Sequence, residues 1–210
     1  MKRALFILTM LSSVCLAAAQ QDFFHRPSPF AGKTLLTLSL FEEVRAELKT
    51  TPEIHSQEDG LLSKIQRELQ EALQGAGSDF AGMRATIEKI NVNYDDEFVK
   101  LLSADQVKRL KQLYVQFNGG NALAYPLVAK ALVITDEQKA KIKKTQEENQ
   151  KQVMELFQSG GGPQDNRKDL EKLQTELKSN LEKLLTDDQK AKFKEMQGAK
   201  FEFKKVGSGT

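Results

Sequence analysis

The sequence has very few of the residues that most often carry chemistry: one cysteine, two histidines and no tryptophan in 210 residues. The single cysteine, Cys15, has no second thiol with which to form a disulfide or a thiolate metal site. His25 and His55 have no nucleophile or acid at catalytic spacing beside them, and no glycine-rich phosphate loop follows a strand pattern. These absences predict that the chain is not an enzyme and binds no cofactor and no metal.

The first residues have the pattern of a cleavable signal peptide. Lys2 and Arg3 precede an apolar run from Ala4 to about Leu16, and the small residues Ala17–Ala19 follow. We predict a signal peptide at residues 1–19 with cleavage near Ala19-Gln20, and a periplasmic or secreted mature chain that lacks Cys15. No later segment approaches the about 20 apolar residues that a membrane span requires, so no span is predicted.

The sequence also has no large excess of positive or negative charge. The sequence has 31 basic and 29 acidic residues, and Lys2 and Arg3 would leave with the signal peptide. The mature chain is then neutral, which argues against nucleic acid or an anionic membrane as a partner. The lysine-rich stretches at 139–144 and 190–195 are therefore interpreted as solvated helix faces.

A ten-residue phrase occurs three times, as LLSADQVKRL, VITDEQKAKI and LLTDDQKAKF. In each copy an apolar residue precedes Ser or Thr, and Gln follows three residues after the hydroxyl residue. This spacing is typical of a capping box, in which the two polar side chains bond each other's backbone N–H groups at the start of a helix. We predict a structural, helix-capping role for Leu102, Ser103 and Gln106; Ile134, Thr135 and Gln138; and Leu185, Thr186 and Gln189.

A fourth copy of the phrase is degenerate. Thr51 is a cap residue followed by Pro52, which suits the first helical position, but Ile54 stands where glutamine belongs. Thr51 and Thr135 are 84 residues apart, and Ser103 and Thr186 are 83 apart. The spacing indicates a tandem duplication of a unit with a short lead helix, a long helix, a glycine-rich turn, a second long helix and a capped third helix.

The predicted fold is all-α, with tandem helical-hairpin units that form an elongated, thin helical bundle. Leucines at three- and four-residue steps from Leu170 to Leu184 indicate the narrow apolar stripe of a hairpin. We expect the two units to pack together as one body. The predicted division is a signal peptide at 1–19, a leader at 20–37, a first unit at 38–120, a second unit at 121–203 and a loose tail at 204–210.

The repeated Leu-Thr-x-x-Gln phrase after a signal peptide resembles that of the Spy/CpxP-type periplasmic proteins, whose hallmark is this motif occurring twice per chain. Leu185, Thr186 and Gln189 match it fully, and the copies at 102–106 and 134–138 each differ by one conservative change. The resemblance implies helical hairpins that dimerise into a curved cradle, and a role as ATP-independent chaperone, envelope-stress adaptor or metal-stress protein. Because this chain carries four motif positions, we expect one chain to replace two subunits and to be monomeric.

Three functions therefore remain open. An exported chaperone for unfolded or partly folded clients would use exposed phenylalanines, and Phe201 and Phe203 are the candidate client contacts, although they can equally clamp the C-terminus onto the other half. A structural or adaptor protein would bind one specific envelope partner. A metal-stress protein would bind ions through acidic residues, for which Asp95-Asp96 is the candidate weak site, although carboxylates near helix starts also compensate the helix dipole.

Overall fold

A computed structural model describes residues 33–75, 80–158 and 166–204 of the chain. Nine α-helices and no strand occur in these residues, which confirms the predicted all-α fold. The helices are α1 Leu35–Ser39, α2 Glu42–Leu48, α3 Pro52–Gly75, α4 Phe80–Val99, α5 Ala104–Asn118, α6 Pro126–Ala131, α7 Asp136–Gln158, α8 Arg167–Lys183 and α9 Asp187–Glu195, with a 3-10 helix at Gly119–Ala124. None of these helices is long and apolar enough to cross a bilayer.

The helix order repeats along the chain. Helices α2 and α6 begin 84 residues apart, as do α3 and α7, while α5 and α9 begin 83 residues apart. Helices α3 and α4 pack against each other as one hairpin, and α7 and α8 form the second. Residues Gly32–Phe203 form one compact unit, so both predicted repeat units belong to the same body.

The two halves share one hydrophobic core. Helices α1, α2 and α5 pack around it, and the 3-10 helix lies against α5, α7 and α8. Gly120 in the 3-10 helix leaves room for the fully buried Leu181 of α8, because a Cβ atom at position 120 would lie 3.0 Å from Leu181 Cδ1. The side chains with the least exposure include Leu35, Leu36, Leu38, Val44, Phe98, Leu110, Leu113, Leu123, Ile142 and Leu181.

The predicted leader extends too far. The fold was expected to begin after residue 37 with a lead helix at about 39–49, but Leu35 and Leu36 are each 1% exposed and belong to the core. Two helices, α1 and α2, replace the expected one, because the Ser39 hydroxyl donates to the Leu36 carbonyl at 2.7 Å at the end of α1 and Phe41 is extended. The predicted signal peptide at 1–19 and nearly all of the leader and tail lie outside the described residues.

Candidate functional site

In each copy of the repeated motif, the apolar residue lies in the core, the hydroxyl residue faces solvent and the glutamine contacts another helix. The apolar residues Leu102, Ile134 and Leu185 are buried at 9%, 6% and 4% exposure. The hydroxyl residues are exposed and cap their helices, and the glutamines are half-buried. The backbone N–H groups of Ser103, Thr135 and Thr186 donate to the glutamine Oε1 atoms of Gln106, Gln138 and Gln189 at 2.9, 3.0 and 3.0 Å.

In the second half, the amides of Gln138 and Gln189 bond each other, and we call them the glutamine pair. Gln138 Nε2 donates to Gln189 Oε1 at 2.7 Å, and Gln189 Nε2 donates to Gln138 Oε1 at 3.1 Å. Each Nε2 also donates to the carbonyl that ends a helix: Gln138 to Leu184 at 2.9 Å and Gln189 to Leu132 at 3.2 Å. The start of α7 is thereby bonded to the end of α8, and the start of α9 to the end of α6.

The first half has a counterpart of only one of the two glutamines. Gln106 Nε2 donates to the Leu48 carbonyl at 2.9 Å, which is the counterpart of the bond from Gln189 to Leu132. Ile54 occupies the position that corresponds to Gln138, and its half-buried side chain packs against the core instead. The sequence reveals the cap spacing, whereas the bonds between helices depend on a packing that the motif alone does not specify.

Asp95, half of the candidate metal pair, holds the start of α1. It is 1% exposed, whereas Asp96 is exposed, so the two carboxylates do not converge. Asp95 Oδ2 accepts from the Leu35 N–H at 3.0 Å, and Oδ1 accepts from the Leu36 N–H at 2.9 Å. The Tyr125 hydroxyl donates to Oδ2 at 2.5 Å. Helix starts have unpaired N–H groups and a positive dipole end, which this carboxylate satisfies across about 60 residues of sequence.

Asp95 and Tyr114 are buried, and Tyr125 is half-buried. Burial raises the pKa of its carboxyl above the ordinary value, although the hydrogen bonds from Tyr125, Leu36 and Leu35 favour the charged form. Burial and the adjacent Asp95 carboxylate also raise the pKa of Tyr125, so its hydroxyl stays protonated and donates. The ring of Tyr114 packs 4.6 Å from that of Tyr125, measured between centroids. Among the described residues, no group of three or more His, Cys, Asp or Glu side chains is placed to hold a metal ion.

Four large apolar side chains are exposed in the described part of the chain: Phe117 at 36%, Val133 at 75%, Met154 at 55% and Phe157 at 45%. Met154 and Phe157 are three residues apart on α7, a spacing that places them on one face of a helix. Ile142 is the buried residue of α7, and Leu181 is that of α8. The stripe residues Leu170, Leu173 and Leu177 are half-buried, so α7 covers them only in part.

The candidate client contacts Phe201 and Phe203 are half-buried, and they take the alternative clamping position. Phe203 packs edge-on against Phe117 of α5 with 5.1 Å between ring centroids, and Phe201 lies 4.9 Å from Phe203. Both pack against the hydrophobic core. The exposed residues Met154 and Phe157 were not singled out from the sequence as contacts, because the leucine stripe does not reveal which side of the hairpin stays uncovered.

Val133 combines exposure with an unfavourable backbone. Its φ of 53° lies in the left-handed region, where a β-branched residue is rare, and its counterpart in the first half, Lys49, has a φ of 52°. Both positions follow the lead helix of their half, at the helix end where glycine is the usual residue.

Replacing Val133 with glycine should therefore raise the free energy of unfolding by about 1 kcal/mol, because glycine adopts this conformation without a steric penalty. Chemical denaturation measures the change. The matched control is Lys130→Gly in α6, which should lower stability by about 1 kcal/mol, since glycine is unfavourable inside a helix. Loss of stability in Val133→Gly would contradict the assigned strain and show that the valine side chain makes stabilising contacts.

Comparisons of the chain with protein-family models, with curated proteins and with solved structures find no match.

Proposed function

We propose that this chain is an exported, ATP-independent chaperone that binds apolar segments of unfolded or partly folded proteins in the cell envelope. The observation that carries the proposal is the exposed pair Met154 and Phe157 on one face of α7. Monomeric soluble proteins leave few large apolar side chains together on the surface unless they bind something there. The repeated motif and its resemblance to the Spy/CpxP type support the same role.

The chemistry of this surface suits a ligand without fixed shape. Methionine is flexible and polarisable, so it adapts to different apolar partners, and phenylalanine contributes a large contact area. The same helix bears charged pairs such as Lys144–Glu148 and Lys151–Glu155, whose N–O distances of 3.8 Å describe weak, exposed interactions. Binding would therefore rest on apolar contact rather than on a net charge of the chain.

Replacing Met154 and Phe157 together with glutamine should weaken client binding about 30-fold, because each side chain contributes roughly 1 kcal/mol of apolar contact. The measurement is light scattering of an unrelated protein that aggregates on dilution from denaturant, without nucleotide, at a series of chaperone concentrations. The double variant should require more protein for the same suppression.

The matched control is Gln152→Ala with Glu155→Ala, two exposed polar positions of α7 with the same three-residue spacing. This control should suppress aggregation as the wild type does, and circular dichroism should show equal helix content in all three proteins. If the Met154 and Phe157 variant suppresses aggregation as well as the wild type does, these two residues are not the client-binding surface. Absence of suppression by the folded wild type would overturn the proposed function and favour an adaptor with one folded partner.

A further inference from the structure

The end of the described chain lies on α5 as an extended segment. After α9, Gly198 turns the backbone with a φ of 63°, and a Cβ atom there would clash with the side chain of Gln112. Residues 199–203, which we call the C-terminal segment, then run without helical structure along Arg109, Gln116 and Phe117. The last residues of the second half are thereby held on a helix of the first.

The polar contacts of the C-terminal segment are made through its backbone. Gln116 Nε2 donates to the Ala199 carbonyl at 2.8 Å and to the Gln197 carbonyl at 2.5 Å, while Gln116 Oε1 accepts from the Phe201 N–H at 2.8 Å. Arg109 Nη1 donates to the Ala199 carbonyl at 2.9 Å. Every peptide unit offers these same groups, so the hydrogen bonds require an extended backbone rather than a particular sequence.

The side chains of the C-terminal segment alternate between contact and solvent. Phe201 and Phe203 face the aromatic rings and Arg109, whose guanidinium carbon lies 5.9 Å from the centre of the Phe201 ring. Lys200 and Glu202 have side chains that are 86% and 85% exposed. An extended chain points successive side chains to opposite sides, which places Phe201 and Phe203 on the side of the segment that faces α5.

Residues of the receiving surface also make contacts that do not involve the segment. Phe117 packs 5.4 Å from Phe41, measured between ring centroids, and Glu47 bonds Arg109 Nε at 2.7 Å. Phe117 remains 36% exposed even with the C-terminal segment in place. We call Phe41, Arg109, Gln116 and Phe117 the α5 surface.

We propose that the α5 surface is a binding site for extended client segments that carry two aromatic residues one residue apart, and that the C-terminal segment occupies it as an internal competitor. This inference rests on the proposed function, because the ligand is a segment of an unfolded client. The occupant in this structure supplies the chemical description of the ligand: a free backbone edge and alternating aromatic side chains. A competitor tethered to the same chain has a high effective concentration, so a client must displace it.

The experiment uses the full chain and the labelled peptide AKFEFK, which copies residues 199–204, in fluorescence anisotropy titrations. Replacing Phe201 and Phe203 together with serine releases the competitor while leaving the α5 surface intact. The released variant should bind AKFEFK about tenfold more tightly than the wild type. It should not bind the matched peptide AKSESK, and adding Gln116→Ala should abolish binding of AKFEFK.

Equal affinity of the released variant and the wild type for AKFEFK, or equal affinity of the released variant for both peptides, would overturn the proposal. If the released variant fails to fold, hydrogen exchange in the wild type tests the proposed site instead. Excess AKFEFK should then remove protection from the Phe201 amide while AKSESK does not, and unchanged protection would contradict the site. If the wild type forms dimers and AKFEFK dissociates them, the α5 surface binds a second copy of the chain, and the client assignment is overturned.

Failure of this inference can be distinguished from failure of the proposed function. If the wild type suppresses aggregation but no peptide binds at the α5 surface, the chaperone function stands and the α5 surface is rejected as a binding site. Peptide binding without any suppression retains the site and removes the chaperone function.

Discussion

Replacing Asp95 with alanine should lower the free energy of unfolding by about 3 kcal/mol, and the melting temperature by about 10 °C. The carboxylate accepts from two backbone N–H groups at the start of α1 and from the Tyr125 hydroxyl. The substitution leaves these donors buried without an acceptor, and each unpaired group costs about 1 to 3 kcal/mol. Because α1 contributes Leu35, Leu36 and Leu38 to the shared core, the loss should affect the whole unit.

The loss in free energy of unfolding caused by Asp95→Ala should grow as the pH falls. The pKa of Asp95 in the folded chain lies above its ordinary value of 3.8, so the folded state binds the proton more tightly than the unfolded state. The stability contributed by this group is therefore greatest below the unfolded pKa and decreases as the pH rises through the folded pKa. Denaturation of both proteins between neutral pH and about pH 4 measures the difference.

Asp96→Ala is the matched control for Asp95, because Asp96 is its exposed neighbour on the same helix. It should change stability by less than about 0.5 kcal/mol. A loss of that small size in Asp95→Ala as well would show that the carboxylate does not hold α1 as described. A loss that becomes smaller on acidification would show that the hydrogen bonds to the charged carboxylate outweigh burial in setting its pKa.

Removing either member of the glutamine pair should lower the free energy of unfolding by about 2 kcal/mol. Gln138→Ala and Gln189→Ala each delete a helix cap bond and a bond to a carbonyl that ends another helix, together worth about 1 kcal/mol, and the bonds between the two amides, worth about another 1 kcal/mol. The double variant should lose less than the summed losses by about 1 kcal/mol, because the bonds between the two amides are lost with the first substitution.

Gln106→Ala provides the matched comparison in the half that has no second glutamine. It removes a cap bond and the bond to the Leu48 carbonyl, and it leaves no partner amide unpaired. Its cost should be about 1 kcal/mol, smaller than that of Gln189→Ala at the corresponding position. Additive losses in the Gln138 and Gln189 double variant would show that the two amides do not stabilise each other.

The helices and their capped starts were predictable from the sequence because their signals are local. Ser103 and Gln106, like Thr186 and Gln189, determine a helix start within four residues, and α5 and α9 begin directly after these predicted caps. The spacing of Thr51 and Thr135 likewise predicted where the second half repeats the helix order of the first.

The contacts that arrange these helices depend on residues distant in sequence, and the sequence did not reveal them. Asp95 bonds residues 59 and 60 positions away, so no local pattern distinguishes it from Asp96 as the acid that is buried. Leu35 and Leu36 were assigned to a leader because their burial depends on α5 and on Asp95. The bonds from Gln116 to Ala199 and Phe201 of the C-terminal segment span 83 and 85 residues, and no sequence motif marks them.

Binding of one protein presented in two states tests the proposed function most directly. The chain from Gln20 onward is titrated with a protein in its native form and with the same protein reduced and alkylated so that it stays unfolded, and calorimetry measures both affinities. We expect binding of the unfolded form, with a negative heat-capacity change from burial of apolar surface, and no binding of the native form. Failure to bind the unfolded form while the chain is itself folded would contradict the chaperone function.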